Sequence, residues 1–242
     1  IALALLASAP LSDAQLSSVI YVDENASGPV HDGTSWCSAY TTLYDALGVA
    51  VSGQTIHVAG GLYTPDPSTV VDPRDASFHL VDGVSIVAAF AGCGAPDPDA
   101  RDFANDTSFI RGDPLRNDYT GGDQSDNSYH VLVADNLSTG LVLDGLYVDA
   151  GNATNPSVTD GNIGGGLLVR ESSNLKLVDC IFQDDKAWTG PDSTVGRGGA
   201  VYLRKSSVTF VTTLFRESIG GEAAGGVYLE SSGAEFLACT FA

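Results

Sequence analysis

Gly199-Ala200-Val201-Tyr202-Leu203-Arg204-Lys205-Ser206-Ser207-Val208-Thr209-Phe210-Val211-Thr212-Thr213-Leu214-Phe215 is followed by Gly225-Gly226-Val227-Tyr228-Leu229-Glu230-Ser231-Ser232-Gly233-Ala234-Glu235-Phe236-Leu237-Ala238-Cys239-Thr240-Phe241. Tyr202 and Tyr228, Phe210 and Phe236, and Phe215 and Phe241 keep one constant offset, the 26 residues that also separate Ser206 from Ser232. An earlier copy runs from Gly165 to Phe182, and a fainter one from Leu141 to Val148. Self-similarity at such a period is the signature of a stacked repeat.

Inside each copy the apolar residues alternate. Val208, Phe210, Thr213 and Phe215 carry a two-residue period that breaks once near Thr212. Leu175, Leu177, Cys180 and Phe182 fill the same places, as do Ala234, Phe236, Cys239 and Phe241. This spacing predicts two short strands joined at a tight corner, with one face turned inward. The glycines before Tyr202 and Tyr228 open a further strand. Three short strands per turn, stacked in register, define the expected fold: an all-β, single-stranded right-handed parallel β-helix. Phe182, Phe215 and Phe241 should form one column, and Phe210 and Phe236 should share the same interior.

The Gly-Gly-Ala-Val-Tyr and Thr-Leu-Phe or Cys-Thr-Phe elements resemble the repeats of polymorphic outer-membrane proteins and related bacterial pectin-lyase-like β-helix proteins. Where that family commonly has FxxN, this chain has Phe182-Gln183-Asp184-Asp185 and Phe215-Arg216-Glu217-Ser218. The opening is similar to a wider set of bacterial surface β-helix proteins. The matching residues are Tyr21-Val22-Asp23, Asp32-Gly33-Thr34-Ser35-Trp36, Leu43, Ala46-Leu47, Ile56, Val58-Ala59 and Tyr63-Thr64-Pro65. The resemblance implies a secreted or outer-membrane-associated, adhesin-like bacterial surface protein. It carries little chemistry.

Length and charge bound the rest. A chain of 242 residues with 43% hydrophobic residues can bury a core in one domain. Its 28 Gly suit a corner-rich β structure. A net charge of −19 argues against nucleic acid as a partner, which needs a basic footprint. Residues 1–14 read as a truncated secretory signal, too short to span a bilayer. One β-helix domain should then occupy 15–242, with an amino-terminal cap and irregular first turns over 15–125 and regular turns over 126–242. The chain stops one residue after Phe241, which reads as an incomplete carboxy-terminal end. Thr42, Leu43, Ala46 and Leu47 form part of a convincing amphipathic helix, expected to cover one end of the stack. Thr55 to Ala59 should supply the first strand of the stack. Inserts at 149–163, 183–197 and 216–224 should gather along one edge, where solenoids often bind.

Candidate chemistry is sparse. Cys37 and Cys93 lie in amino-terminal loops and are the disulfide candidates. Cys180 and Cys239 stand a whole turn apart, roughly 10 Å at the strand spacing, too far to bond; both are expected as buried free thiols. Asp184-Asp185 resembles the Asp pair of polygalacturonases, but the companion motifs of that family are missing and an acidic loop is the expected reading. Asp144, Asp149 and Asp160 with Arg170 or Arg204 resemble, loosely, the carboxylate and base set of pectate lyases. Asp-rich loops around Asp97, Asp99 and Asp102, and around Asp123 and Asp126, are where structural calcium would fit. His57 and His130 are expected at strand positions. Arg204 aligns with Glu230, and such alternation suits a solvated, weakly paired surface. No catalytic, cofactor-binding or metal-ligating residue is assigned. The expected function is a non-catalytic surface module presenting loops to a glycan or protein; the alternative is a polysaccharide lyase or glycoside hydrolase.

Overall fold

The computed structural model describes residues 18–118, 123–188, 196–221 and 223–242. The expected signal segment lies outside them. The chain begins with β1 (Val19–Val22), helix α1 (Leu43–Val49), β2 (Thr55–Ala59), β3 (Gly61–Tyr63), β4 (Phe78–His79), β5 (Ser85–Phe90) and β6 (Ser108–Arg111). Next come β7 (Leu132–Asp135), β8 (Leu141–Asp144), β9 (Leu146–Asp149), β10 (Leu167–Arg170), β11 (Leu175–Val178), β12 (Ile181–Gln183) and β13 (Lys186–Ala187). The last are β14 (Val201–Arg204), β15 (Ser207–Val211), β16 (Leu214–Arg216), β17 (Ile219–Gly220), β18 (Val227–Glu230), β19 (Gly233–Leu237) and β20 (Thr240–Phe241).

These strands form three parallel sheets. Sheet A is seven-stranded in the order β1-β2-β5-β8-β11-β15-β19, and sheet B is six-stranded, β3-β6-β9-β12-β16-β20. Sheet C is five-stranded, β4-β7-β10-β14-β18, and β13 and β17 make a small separate pair. From β7 onward the chain visits C, A and B in turn, so each sequence repeat adds one strand to every sheet. The register follows the repeat: Tyr202 pairs with Tyr228, Phe210 with Phe236, and Phe182 with Phe215 and then Phe241.

Alternation sets which face is buried. In β11, Leu175 and Leu177 are buried while Lys176 is exposed. Inward side chains stack in columns, with ring centroids 5.6 Å apart for Phe182 and Phe215 and 4.8 Å for Phe215 and Phe241. Phe236 and Phe241 keep these columns but remain 38% and 55% exposed, contrary to a fully interior placement. The reason is positional: among the described residues β19 and β20 are the edges of their sheets.

The corners explain why the chain can turn so sharply. Each repeat puts one residue in the left-handed region between sheets A and B: Gly145, Asp179, Thr212 and Ala238. For residues with a Cβ this conformation is unfavourable, and the next side chain supplies compensating bonds. Between sheets C and A that residue is Ser172, Ser206 or Ser232. Ser206 Oγ accepts the Ser172 N–H at 3.0 Å and donates to the Arg204 carbonyl at 2.8 Å. Ser172 and Ser232 repeat the pattern, so the corner N–H groups are satisfied by the following repeat.

At the amino-terminal end, Thr42 caps α1 by accepting the Asp45 N–H. Leu43, Ala46 and Leu47 are buried where α1 meets β1 and β4, the edge strands of sheets A and C. The first strand of the stack is therefore β1, not Thr55–Ala59 as expected: Val19 to Val22 pair in register with Thr55 to Val58.

Candidate functional site

The outer face of sheet C carries two adjoining rows of unlike side chains. One row runs His79, Val133, Leu168, Tyr202, Tyr228 across five strands. The next row runs Asp135, Arg170, Arg204, Glu230. An apolar and aromatic stripe thus lies beside a charged one, because residues two apart on a strand share a face.

The aromatic stripe is ordered. Tyr202 and Tyr228 stack at 5.5 Å with planes 8° apart, and the Arg197 guanidinium lies 5.2 Å from the Tyr228 ring centre. Ile163 packs with Leu168 and Tyr202. The Tyr202 hydroxyl donates to the Glu230 carboxylate.

The charged stripe is closed on itself. Arg170 donates through both Nε and Nη2 to the Asp135 carboxylate, a bidentate pair, and through Nη1 to Asp160 Oδ2 at 2.6 Å. Arg204 Nη1 reaches Asp160 Oδ1 at 3.3 Å. Asp160 comes from the insert after β9 and is held in the left-handed region at φ 60°. Its side chain is only 11% exposed. These groups are firmly paired, which corrects the expectation of a solvated, weakly paired surface. The reason is that the partners Asp160 and Asp135 lie outside the repeat copies.

Two clefts flank Asp160. One, of 140 Å³, is lined by His79, Tyr129, His130, Val133, Thr159 and Arg170, with Asp160 on its rim. The other, of 240 Å³, is lined by Asp160, Asn162, Ile163, Arg197, Tyr202 and Arg204. His130 sits just before β7 rather than in a strand, and its Nδ1 lies 2.9 Å from the Gly164 carbonyl. That bond places the proton on Nδ1 and leaves Nε2 as an acceptor. Loss of solvent around the ring pushes its pKa down to about 4, so the imidazole is neutral at physiological pH.

The inserts do gather on one edge. Asn152 bridges to Lys186, Ile163 to Arg197 and Arg197 to Ala223, while β13 pairs with β17.

Other residues singled out from the sequence are dispersed. Asp144 pairs with Arg101 at 2.5 Å, and Asp149 lies 3.5 Å from Arg111, so of that set only Asp160 meets Arg170 and Arg204. Burial pushes the Asp149 pKa up to about 7. Asp184 and Asp185 part company: Asp184 stays at the half-buried corner, while Asp185 is fully buried with Oδ1 on the Gly151 N–H at 2.9 Å. Asp185 is thus no part of an exposed acidic loop. It stands where Ser218 stands in the next repeat, and Ser218 Oγ faces the Asp185 N–H. Buried as it is, Asp185 has no access to the water that one of the two carboxylates must activate in an inverting hydrolysis.

The acidic loops are built by their own backbone. Asp102 accepts the Ala104 and Asn105 N–H groups, Asp123 the Ser125 N–H, and Asp99 the Trp36 indole at 2.8 Å. Asp97 accepts the Asp99 N–H, and Asp126 accepts from Asn117 Nδ2. Among the described residues no group of three or more His, Cys, Asp or Glu is placed to hold a metal ion. None of the described helices is long and apolar enough to cross a membrane.

Cys37 and Cys93 form a disulfide with Cα atoms 4.8 Å apart. It ties two loops beside an outer aromatic cluster of Tyr21, Trp36, His57 and Phe90. His57 lies in β2, as expected. Cys180 is free and buried, and burial pushes its thiol up to about 12. Cys239 is free but only half-buried, short of the expected full burial, because β19 and β20 flank it at the sheet edges.

The stripe residues Tyr202, Tyr228, Arg170 and Arg204 were legible as strand positions but not as a site. Their signal was present: Asp135, Arg170, Arg204 and Glu230 each immediately precede a left-handed corner, at Asn136, Glu171, Lys205 and Ser231. Comparison with known protein families, with curated proteins and with solved structures finds no match to this chain.

Proposed function

We propose that the three parallel sheets are the faces of a single-stranded right-handed parallel β-helix, with α1 as its amino-terminal cap. The rotation of the chain through C, A and B supports this winding, as does the strong right-handed preference of parallel crossovers. On this reading the chain is a secreted or cell-surface module of the polymorphic outer-membrane protein kind, bacterial and adhesin-like. It binds a glycan through the outer face of sheet C and the inserts beside it, and it does not catalyse a reaction.

The carrying observation is the stacked Tyr202–Tyr228 pair running beside the Asp135–Arg170–Asp160–Arg204 ladder, with a cleft on either side of Asp160. Tyr202 is buried, so the half-buried Tyr228 ring is the one of the pair that offers an aromatic face to a sugar ring, and fixed polar groups beside it read hydroxyls. A protein partner would use the same exposed edge.

A second reading is a polysaccharide lyase or glycoside hydrolase on the same architecture. It is favoured by one fact, that His130, Arg170 and Asp160 line a single cleft. The non-catalytic reading is preferred because Arg170 already spends its donors on two carboxylates and cannot also neutralise a substrate acid. Two experiments separate them. Affinity electrophoresis through a panel of polysaccharide gels should show retardation that Tyr228→Ala abolishes. Incubation with pectate, alginate and polygalacturonate, with and without calcium, should yield neither unsaturated products nor reducing ends; turnover lost on Asp160→Asn would establish the enzyme instead.

A further inference from the structure

If the groove on sheet C binds glycan, as proposed above, the charge pairing on its floor points to the class: we infer that the ligand is an uncharged polysaccharide and not a uronate. A carboxylated sugar is recognised by a cation whose charge is unspent. Arg170 faces two carboxylates, Asp135 and Asp160, and Arg204 shares Asp160. Arg74, at the edge of the first cleft, lies 4.1 Å over the Tyr129 ring and donates to the Asn127 and Asn152 carbonyls. Arg197 lies against Tyr228. Across the floor, Asp135, Asp160 and Glu230 match Arg170, Arg204 and Arg197 in number, and Asp75 adds a further negative charge at the first cleft. A uronate entering here would meet carboxylates it must displace. The whole chain, at −19, would repel it as well.

What the groove offers instead suits hydroxyls. The half-buried Tyr228 ring supplies an aromatic face backed by the buried Tyr202 and Leu168, while Asp160, Asn162 and Thr159 supply acceptors and donors along the two clefts. The fixed tautomer of His130 adds an acceptor. Paired hydroxyls of a pyranose fit such groups without any net charge.

The test is calorimetry of the whole chain against soluble neutral glycans (xylan, β-glucan, galactan, mannan) and against polygalacturonate and alginate. The expected result is binding to at least one neutral glycan, changing less than about twofold between low and high salt. Tyr228→Ala should weaken it about tenfold, with Tyr228→Phe retaining most of it. Asp135→Asn should leave Arg170 with unspent charge and create uronate binding that salt suppresses. Uronate binding by the parent chain as tight as neutral binding would overturn this inference and leave the glycan reading standing. Binding to neither class would overturn both.

Discussion

At the scale of the residue, Asp185 shows how a corner constrains chemistry. The equivalent residue in the next repeat is Ser218, and Gly166 leaves space for the carboxyl, since a Cβ there would approach Asp185 Oδ2 to 2.5 Å. Burial pushes the Asp185 pKa well above the usual carboxylate range. An unfolded Asp titrates near about 3.9. From there up to its raised value, folded Asp185 keeps a proton that the unfolded chain has released. Stability therefore falls as pH rises through that window, by about 1.4 kcal/mol per pH unit for each such proton. Asp149, raised to about 7, acts in the same direction between about pH 4 and 7. Asp185→Asn should flatten the dependence, so that its stability relative to the parent improves between pH 5 and pH 8. Urea midpoints at the two pH values measure this, and parallel shifts in parent and variant would refute it.

At the scale of the element, a strand is held both by its inward column and by its corner. Ser206 makes the second bond visible: removing its hydroxyl leaves the buried Ser172 N–H without its partner. Ser206→Ala should cost about 1–3 kcal/mol, although the side chain it removes is small. The aromatic column supplies the contrast between interior and edge. Phe215 is 2% exposed and stacks on both Phe182 and Phe241, whereas Phe241 has a neighbour on one side only. Phe215→Ala should cost about 3–5 kcal/mol, as for other buried aromatics. Phe241→Ala should cost well under half of that. Equal losses in denaturant titrations would mean that β20 is not an edge in solution.

At the scale of the whole molecule, the amino-terminal region is secured differently from the repeats. Its strands are irregularly spaced, and long loops separate them. The Cys37–Cys93 bridge joins the loop after β1 to the loop after β5, across 56 residues of chain. Loop-closure entropy gives such a bridge about 4 kcal/mol. Reduction should lower the denaturation midpoint accordingly and expose the segments 24–40 and 91–107 to protease first. The repeats from β10 onward contain no disulfide among the described residues and should be cleaved later. Cleavage beginning in the repeats of the reduced protein would contradict this division.

Periodicity made the sheets legible. The 26-residue offset fixes which residues pair, and the two-residue alternation of Val208, Phe210 and Thr209 fixes which face is buried, because both are properties of a chain repeating itself locally. The amphipathic pattern at Leu43, Ala46 and Leu47 located α1 for the same reason. The groove was not legible. Asp160 is brought to Arg170 and Arg204 by the insert after β9, and Asp135 lies outside the repeat copies, at the end of β7. Likewise Asp184 and Asp185, adjacent in the chain, are divided by a left-handed corner that buries one fully and leaves the other half-buried. Local pattern carries backbone pairing, which depends on hydrogen bonds at fixed intervals. The pairing of charges depends on where inserts fold back over a face, and only the tertiary structure decides that.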